Sequence, residues 1–382
     1  MTPSPRCIVI GASAGGVDAF LKIASQLAPD FPMPILCVQH IGAHRSRLAQ
    51  LIDAKGQNRA VPAVDGMVPL PGTIYVAPPD RHLILDQEGI IRLSAAAKEH
   101  HARPAIDPLF RSAALVYGPR VIGVVLTGLL DDATSGLRAI KQLGGTAVVQ
   151  DPYDAYAPSM PESAIANVDV DHIVPLDAMA DLLHRLARQP VPDVAPETFR
   201  EARRRIEYEH SIGMEPPTLE KLKAIGSPST FTCPDCGGVL FELHDKQPVR
   251  YRCHTGHAFS LRSLAYTQEE VTDQALWTGL RALQEKESIL RRLAEAEDVP
   301  GSKTAQDALR EADELAVAAS TLRRLVQATP GRKVLTSSPG RPWQGRTTRI
   351  TMPKQAARTD GAGYPSKAPE ACQVAAAEKT MG

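Results

Sequence analysis

The chain has 382 residues, more than one average domain, so two or three units are expected. Its hydrophobic fraction of 43% can bury a core, and a formal net charge of zero gives no global case for a nucleic-acid or membrane-surface protein. No apolar run approaches the ~18 residues a bilayer span needs, and the N-terminus lacks the parts of a signal peptide, so a cytoplasmic protein without membrane insertion is expected.

From residue 6 to about 188, short apolar strands alternate with amphipathic helices. Strands are predicted at Cys7–Ile10, Ile35–Gln39, Val121–Leu126, Ala147–Val149 and His172–Val174. Helices are predicted at Val17–Leu27, Arg45–Ala54, Ile106–Tyr117, Ser135–Leu143 and Leu176–Leu186. Three short strands between 73 and 93 read as a meander or hairpin insertion. The alternation predicts an α/β fold with a doubly wound, mostly parallel sheet over residues 1–188.

Residues 189–230 read as a proline-rich linker followed by a polar segment. Residues 231–262 are short, turn-rich and cysteine-bearing. Residues 263–328 carry two helical seams, one through Leu276, Leu280, Leu283, Leu290 and Ala294 and one through Ala305, Ala308, Ala312, Leu315, Ala319, Leu322 and Val326, and predict an antiparallel helical hairpin or coiled coil. Residues 329–382 read as a disordered basic tail with nine Lys/Arg against three Asp/Glu. The first unit is expected to fold and act without the rest.

The first chemical signal is Gly11-Ala12-Ser13-Ala14-Gly15, a G-x-S-x-G turn between the first strand and its helix. Small neighbours permit a sharp turn that presents a serine at a helix N-terminus, where backbone N–H groups can stabilise an oxyanion. A dinucleotide site fits poorly, because position 13 is serine and the second strand ends in Gln39-His40 with no carboxylate. A serine that merely caps the helix also fits the turn. His40 ends the second strand, and Asp131 and Asp132 follow the central strand. Ligand sites in such sheets gather at the carboxyl edge, so these residues are candidate partners of Ser13.

The second signal is Cys233-x₂-Cys236, sixteen residues, then Cys253-His254-Thr255-Gly256-His257. Two knuckles at this spacing predict a zinc ribbon holding a structural zinc. The ligands are Cys233, Cys236, Cys253 and His257. His254 is the alternative fourth ligand, but a histidine adjacent to its cysteine ligand has difficulty reaching the same tetrahedron. Cys7 and Cys37 read as buried hydrophobes. The ribbon has three basic and three acidic residues from 231 to 260, which argues against nucleic acid and for a protein-docking role of ribbon and hairpin toward signalling partners.

The chain resembles the catalytic domain of the chemotaxis protein-glutamate methylesterase (CheB-type) family over about residues 5–188. The resemblance rests on IGASAGGVDA, VQHI, PGTIYVAPPDRHL, ARPAIDPLFRSAA, GVVLTGLLDDATSGLRAIKQLGG and VVQDPYDAYAPSMPESAI, in that order. It implies a serine hydrolase that removes methyl esters from receptor glutamates and deamidates receptor glutamines, with chemoreceptor-type proteins as substrates and no cofactor for catalysis. It assigns Ser13 as nucleophile, His40 as base and Asp132 as the orienting acid, with backbone N–H groups of Ala14 and Leu129 as the oxyanion hole. This sequence departs from the family's G-M-G-x-D-G, having Gly128-Leu129-Leu130-Asp131-Asp132-Ala133. The resembled family's best-known members carry an N-terminal phospho-receiver domain that gates the site, and regulation by that route is not expected here unless the domain is a separate chain. A catalytically weak adaptor, and an esterase or amidase for another substrate, are the alternative functions.

Overall fold

A computed structural model describes residues 6–41, 45–191, 196–214, 218–245, 247–297 and 301–328. The tail 329–382, with Cys372, and part of the turn between the two long helices lie outside the described residues.

The first half builds one parallel sheet. β1 (Cys7–Ala12) leads to α1 (Gly16–Gln26), β2 (Ile35–Gln39), α2 (Leu48–Lys55), β3 (Arg59–Pro62) and β4 (Thr73–Val76). A separate antiparallel hairpin, β5 (His82–Leu85) and β6 (Ile91–Ser94), precedes α3 (Ile106–Tyr117). Then follow β7 (Val121–Val125), α4 (Thr134–Gln142), β8 (Thr146–Gln150), α5 (Ser159–Asn167), β9 (His172–Val174) and α6 (Leu176–Arg188). The strand order is β3-β4-β2-β1-β7-β8-β9, and every pairing in it is parallel.

Alternate residues of the strands feed two cores. Ile8, Ile10, Ile35 and Val124 pack under α1, α2 and α6. Cys7, Val9, Val38 and Val125 pack under α3, α4 and α5. Each such fully buried Ile or Leu contributes about 1.5–3 kcal/mol by leaving water. Cys7 and Cys37 are buried in these layers as expected, and burial pushes both thiols far up from their ordinary value.

Three differences from the sequence reading have local causes. Thr73–Val76 joins the main sheet rather than an insertion, because its apolar residues face both cores; only β5 and β6 form the hairpin. β3 is an edge strand with one buried residue of four, too polar to stand out in the sequence. α5 opens on Ser159-Met160-Pro161, and a proline in its first turn masks its helical pattern.

The segment read as polar and ambiguous carries α7 (Arg200–Met214) and α8 (Leu219–Ile225). Ile206 of α7 is buried in the same core as α3. An antiparallel sheet follows, β10 (Gly226–Thr232), β11 (Val239–Leu243), β12 (Arg250–Cys253) and β13 (Ala258–Ser260), around Leu240, Tyr251, Phe259 and Leu264. α9 (Leu261–Glu295) starts directly from it, with a reciprocal cap. Ser260 Oγ accepts from the Ser263 N–H at 3.0 Å, and Ser263 Oγ accepts from the Ser260 N–H at 2.9 Å. α10 (Lys303–Ala328) returns along α9, burying Ala305, Ala312, Ala319 and Val326 at seven-residue spacing, with Arg291 paired to Asp313 and Lys286 to Glu311. Among the described residues, no helix is long and apolar enough to cross a membrane.

Candidate active site and metal centre

The strand order reverses between β1 and β7, the point where an open parallel sheet leaves a crevice at its carboxyl edge. Ser13 leaves β1, His40 leaves β2, and Asp132 lies in the turn after β7. Their backbones are tied together. The Ser13 N–H donates to Thr127 O at 2.9 Å and the His40 N–H to Ala12 O at 3.1 Å. Gln39 Nε2 donates to Ser13 O at 2.7 Å and to His40 O at 3.1 Å, so one amide group clamps both candidates.

The turn is tight for steric reasons. A Cβ at Gly128 would meet Met160 Sδ at 2.1 Å and Ser13 Cβ at 2.9 Å, so only glycine lets the β7 loop approach the serine. The left-handed backbone falls on Gly15 (φ 78°) and not on Ser13. Ser13 Oγ has no protein hydrogen-bond partner among the described residues, and it does not bond the His40 ring. Such bonds are commonly loose until substrate arrives.

His40 Nε2 lies 2.7 Å from Asp132 Oδ2. Asp132 is fully buried and receives three backbone N–H groups: Ile106 at 2.7 Å, Asp107 at 3.1 Å and Ala133 at 2.7 Å. Burial alone would raise its pKa. The charge of His100, the His40 hydrogen bond and the Ile106 N–H outweigh that and hold the carboxyl well below its usual range. Asp131 points elsewhere, accepting from Ser260 Oγ at 2.6 Å, and burial raises its pKa.

Among the described residues, the N–H groups of Ala14 and Leu129 donate to no protein acceptor, as an oxyanion site would need. Thr127 Oγ1 donates to Ala14 O at 2.8 Å and accepts from the Ala157 N–H at 2.8 Å, fixing that peptide. Beside Ser13 opens a cleft of about 480 Å³, lined also by Val17, Thr127, Gln150 and the exposed ring of Tyr156.

Gln39, Thr127 and Gln150 were missed as site residues in the sequence. Gln39 and Gln150 end β2 and β8, and polar residues ending apolar strands at the carboxyl edge are the signal that marks them.

The second cluster also assembles. Sγ of Cys233, Cys236 and Cys253 and a ring nitrogen of His257 lie within 4.8 Å of one another. Cys236 Sγ and Cys253 Sγ are 3.7 Å apart, and His257 Nδ1 is 3.5 and 3.7 Å from Cys253 and Cys233 Sγ. These separations match the edges, roughly 3.5–3.8 Å, of a tetrahedron drawn from ordinary zinc–sulfur and zinc–nitrogen bonds. His254 is exposed, against Gly238, and is not in the cluster. His257 Nε2 is 4.0 Å from Asp235 Oδ2, too long for a hydrogen bond, and that buried oxygen has no hydrogen-bond partner among the described residues.

Residues 8–183 match the family model described as CheB methylesterase. A Leptospira interrogans protein, provisionally named a protein-glutamate methylesterase/protein-glutamine glutaminase, is 41% identical over 182 residues, which are 47% of this chain and 94% of the relative. A Methanosarcina mazei protein-glutamate methylesterase/protein-glutamine glutaminase is 34% identical over 189 residues, 47% of this chain and 52% of the relative. The chain thus spans about half the length of that relative. The crystal structure of the Thermotoga maritima CheB methylesterase catalytic domain aligns with a TM-score of 0.46 and 34% identity, covering 48% of this chain and 99% of that one.

Proposed function

Because the chain belongs to the CheB methylesterase family, we propose that it is a serine hydrolase removing methyl esters from glutamate side chains of chemoreceptor-type proteins, and deamidating glutamines by the same route. The observation that carries this reading is the 2.7 Å contact of His40 Nε2 with the buried, amide-solvated Asp132 at the sheet's reversal point.

With Nε2 committed to Asp132, Nδ1 is the basic nitrogen left for Ser13. It takes the hydroxyl proton as Oγ attacks the γ-carbonyl carbon. The oxyanion is received by the N–H groups of Ala14 and Leu129. His40 then protonates the departing methoxide, or the departing amide nitrogen of a glutamine. Water, deprotonated by His40, hydrolyses the acyl-enzyme. Asp132 stays ionised throughout and stabilises the imidazolium.

Cys233, Cys236, Cys253 and His257 would hold one zinc. Four protein ligands leave no open position, so its contribution is structural. The test of function is methanol release from methylated chemoreceptor preparations by the full-length protein against Ser13→Ala. Release that is absent, or that survives Ser13→Ala, sinks the reading.

A further inference from the structure

The catalytic sheet and the cysteine-bearing sheet meet across a buried seam, and the residue at its centre is His100. Its side chain is 6% exposed. His100 Nε2 donates to Asp107 Oδ2 at 3.0 Å and lies 3.8 Å from Asp132 Oδ1. Its other ring nitrogen, Nδ1, lies 3.1 Å from Ser263 Oγ in the cap of α9. Its backbone N–H donates to Ala258 O at 2.8 Å. The neighbouring His101 Nδ1 pairs at 2.7 Å with Asp235, the carboxylate that also faces His257. One turn therefore reaches the helix cap, the edge strand and the metal knuckle on one side, and the carboxylate bonded to His40 on the other.

The backbone carries the same mark. Of the six described non-glycine residues with positive φ, four are His100 (53°), His101 (61°), Leu130 (62°) and Ala133 (77°). They sit in two loops of the catalytic half that meet beside this seam, where His100 Nε2 comes within 3.8 Å of Asp132 Oδ1. Left-handed backbone at such residues persists only where surrounding contacts over-determine it. A second set of buried charges spans the seam beside His100, where Glu99 accepts from Arg111 Nη2 at 2.6 Å and from Arg252 Nη2 at 3.0 Å.

We infer that the His100–His101 turn is the element through which the C-terminal sheet and α9 set the position and field of Asp132, making His100 a positioning residue of the hydrolase reaction. This rests on the Ser13–His40–Asp132 reading. The groups facing His100 are Asp131 and Asp132 from the turn after β7, Asp107 from α3 and Ser263 from α9, and one small cavity beside it is lined also by Glu99, Glu209 of α7 and Arg250 and Arg252 of β12. Arg262 acts on His100 indirectly through Asp131. His100 acts through Asp132 and touches no substrate.

The test uses full-length protein and the pH dependence of kcat/KM on a small activated ester. His100→Gln removes a positive charge beside Asp132, which favours the protonated form of the site as a whole. The acid limb should move up by about half a pH unit or more, with kcat down roughly tenfold and KM little changed. Ser263→Ala, whose side chain lies wholly in the C-terminal part, should lower kcat about threefold, and the double variant should be no worse than His100→Gln alone. Ser263→Ala also serves if His100→Gln does not fold. Removing the metal by chelation should loosen the turn, read as faster backbone hydrogen exchange at residues 99–102. A limb that stays in place, with Ser13→Ala inactive, overturns the positioning role while leaving the hydrolase reading intact. Activity surviving Ser13→Ala removes the reading itself. Additive losses in the double variant also overturn the coupling.

Discussion

His40 Nε2 and Asp132 Oδ2 are 2.7 Å apart, while the adjacent Asp131 turns away to Ser260 on the far sheet. Two consecutive carboxylates thus face opposite ways, one toward His40 and one toward the seam. Ser13→Ala and His40→Ala should each lower kcat by roughly 10³-fold or more on ester substrates, and Asp132→Asn somewhat less. Asp131→Asn should change kcat no more than a few-fold, since the amide still accepts from Ser260. Steady-state kinetics on the four variants decide it, and a damaging Asp131→Asn beside a silent Asp132→Asn reverses the assignment.

The sequence by itself left these two aspartates equivalent, since either could follow β7, and only the resembled family's Thr-Gly-x-x-x-Asp pattern, in register with Thr127-Gly128, pointed to Asp132. The parallel sheet was legible because its strands are continuous apolar runs punctuated by glycine. The edge strand Arg59–Pro62 and helix α7 were not. Each buries one or a few side chains against a distant element, and such one-sided burial leaves little periodicity. The seam was invisible for a related reason. His100, Ser260 and Arg252 are polar residues whose partners lie far away in sequence, so no local pattern announces that they are buried.

The metal prediction follows from geometry. Purified protein should carry about one zinc per chain by elemental analysis. His257→Ala and Cys253→Ala should lose it, and His254→Ala should retain it, because His254 lies outside the four-donor cluster. Metal retained in His257→Ala but lost in His254→Ala assigns the fourth ligand the other way.

Leu130 and Ala133 have positive φ at the two of the three glycine positions of the resembled family pattern where this sequence departs from it. Such conformations disfavour a residue with a Cβ by about 1–2 kcal/mol relative to glycine, partly offset by glycine's greater freedom when unfolded. Ala133→Gly should therefore leave stability unchanged or raise it by up to about 1 kcal/mol, against the usual sign for alanine to glycine. Chemical denaturation measures this, and a loss of 1 kcal/mol or more means that the turn is not strained.

Stability should also depend on pH through the seam. Burial opposes charge on His100, but Asp132, Asp107 and Asp131 prevail and raise its pKa from 6.5 to about 9. A folded-state pKa above the unfolded one stabilises fully below the unfolded value and is lost as pH rises through the folded value. The contribution is thus present below about pH 6.5 and gone by about pH 9. Glu209 works at the other end: Arg250, Arg111 and Arg252 overcome its burial and lower its pKa from 4.5 to about 2, so its contribution is lost as pH falls through that range. Melting temperatures of wild type should decline from pH 6.5 to 9, and His100→Gln should flatten that decline. Parallel declines in the two proteins contradict a charged His100.

Residues 1–190 offer the sharpest comparison between a separable catalytic unit and a buttressed one. Apart from Ile206, the buried residues of both sheet cores lie between Cys7 and Leu186, so the fragment is expected to keep both cores. Its active-site neighbourhood is another matter. The cut removes Ser263 from His100, Ser260 from Asp131 and Arg252 from Glu99, and it uncovers the face of α3 on which α7 packs. His100 then faces water, which screens the field it exerts on Asp132. The fragment should therefore be soluble and folded, with native-like circular dichroism. It should hydrolyse a small activated ester with kcat roughly tenfold below full length, in step with His100→Gln in the intact chain. Its acid limb should be shifted in the same direction as that variant's. Full activity in the fragment with an unshifted limb means that the C-terminal sheet is an independent module. A fragment that is folded but inactive means that it completes the site more directly than through His100.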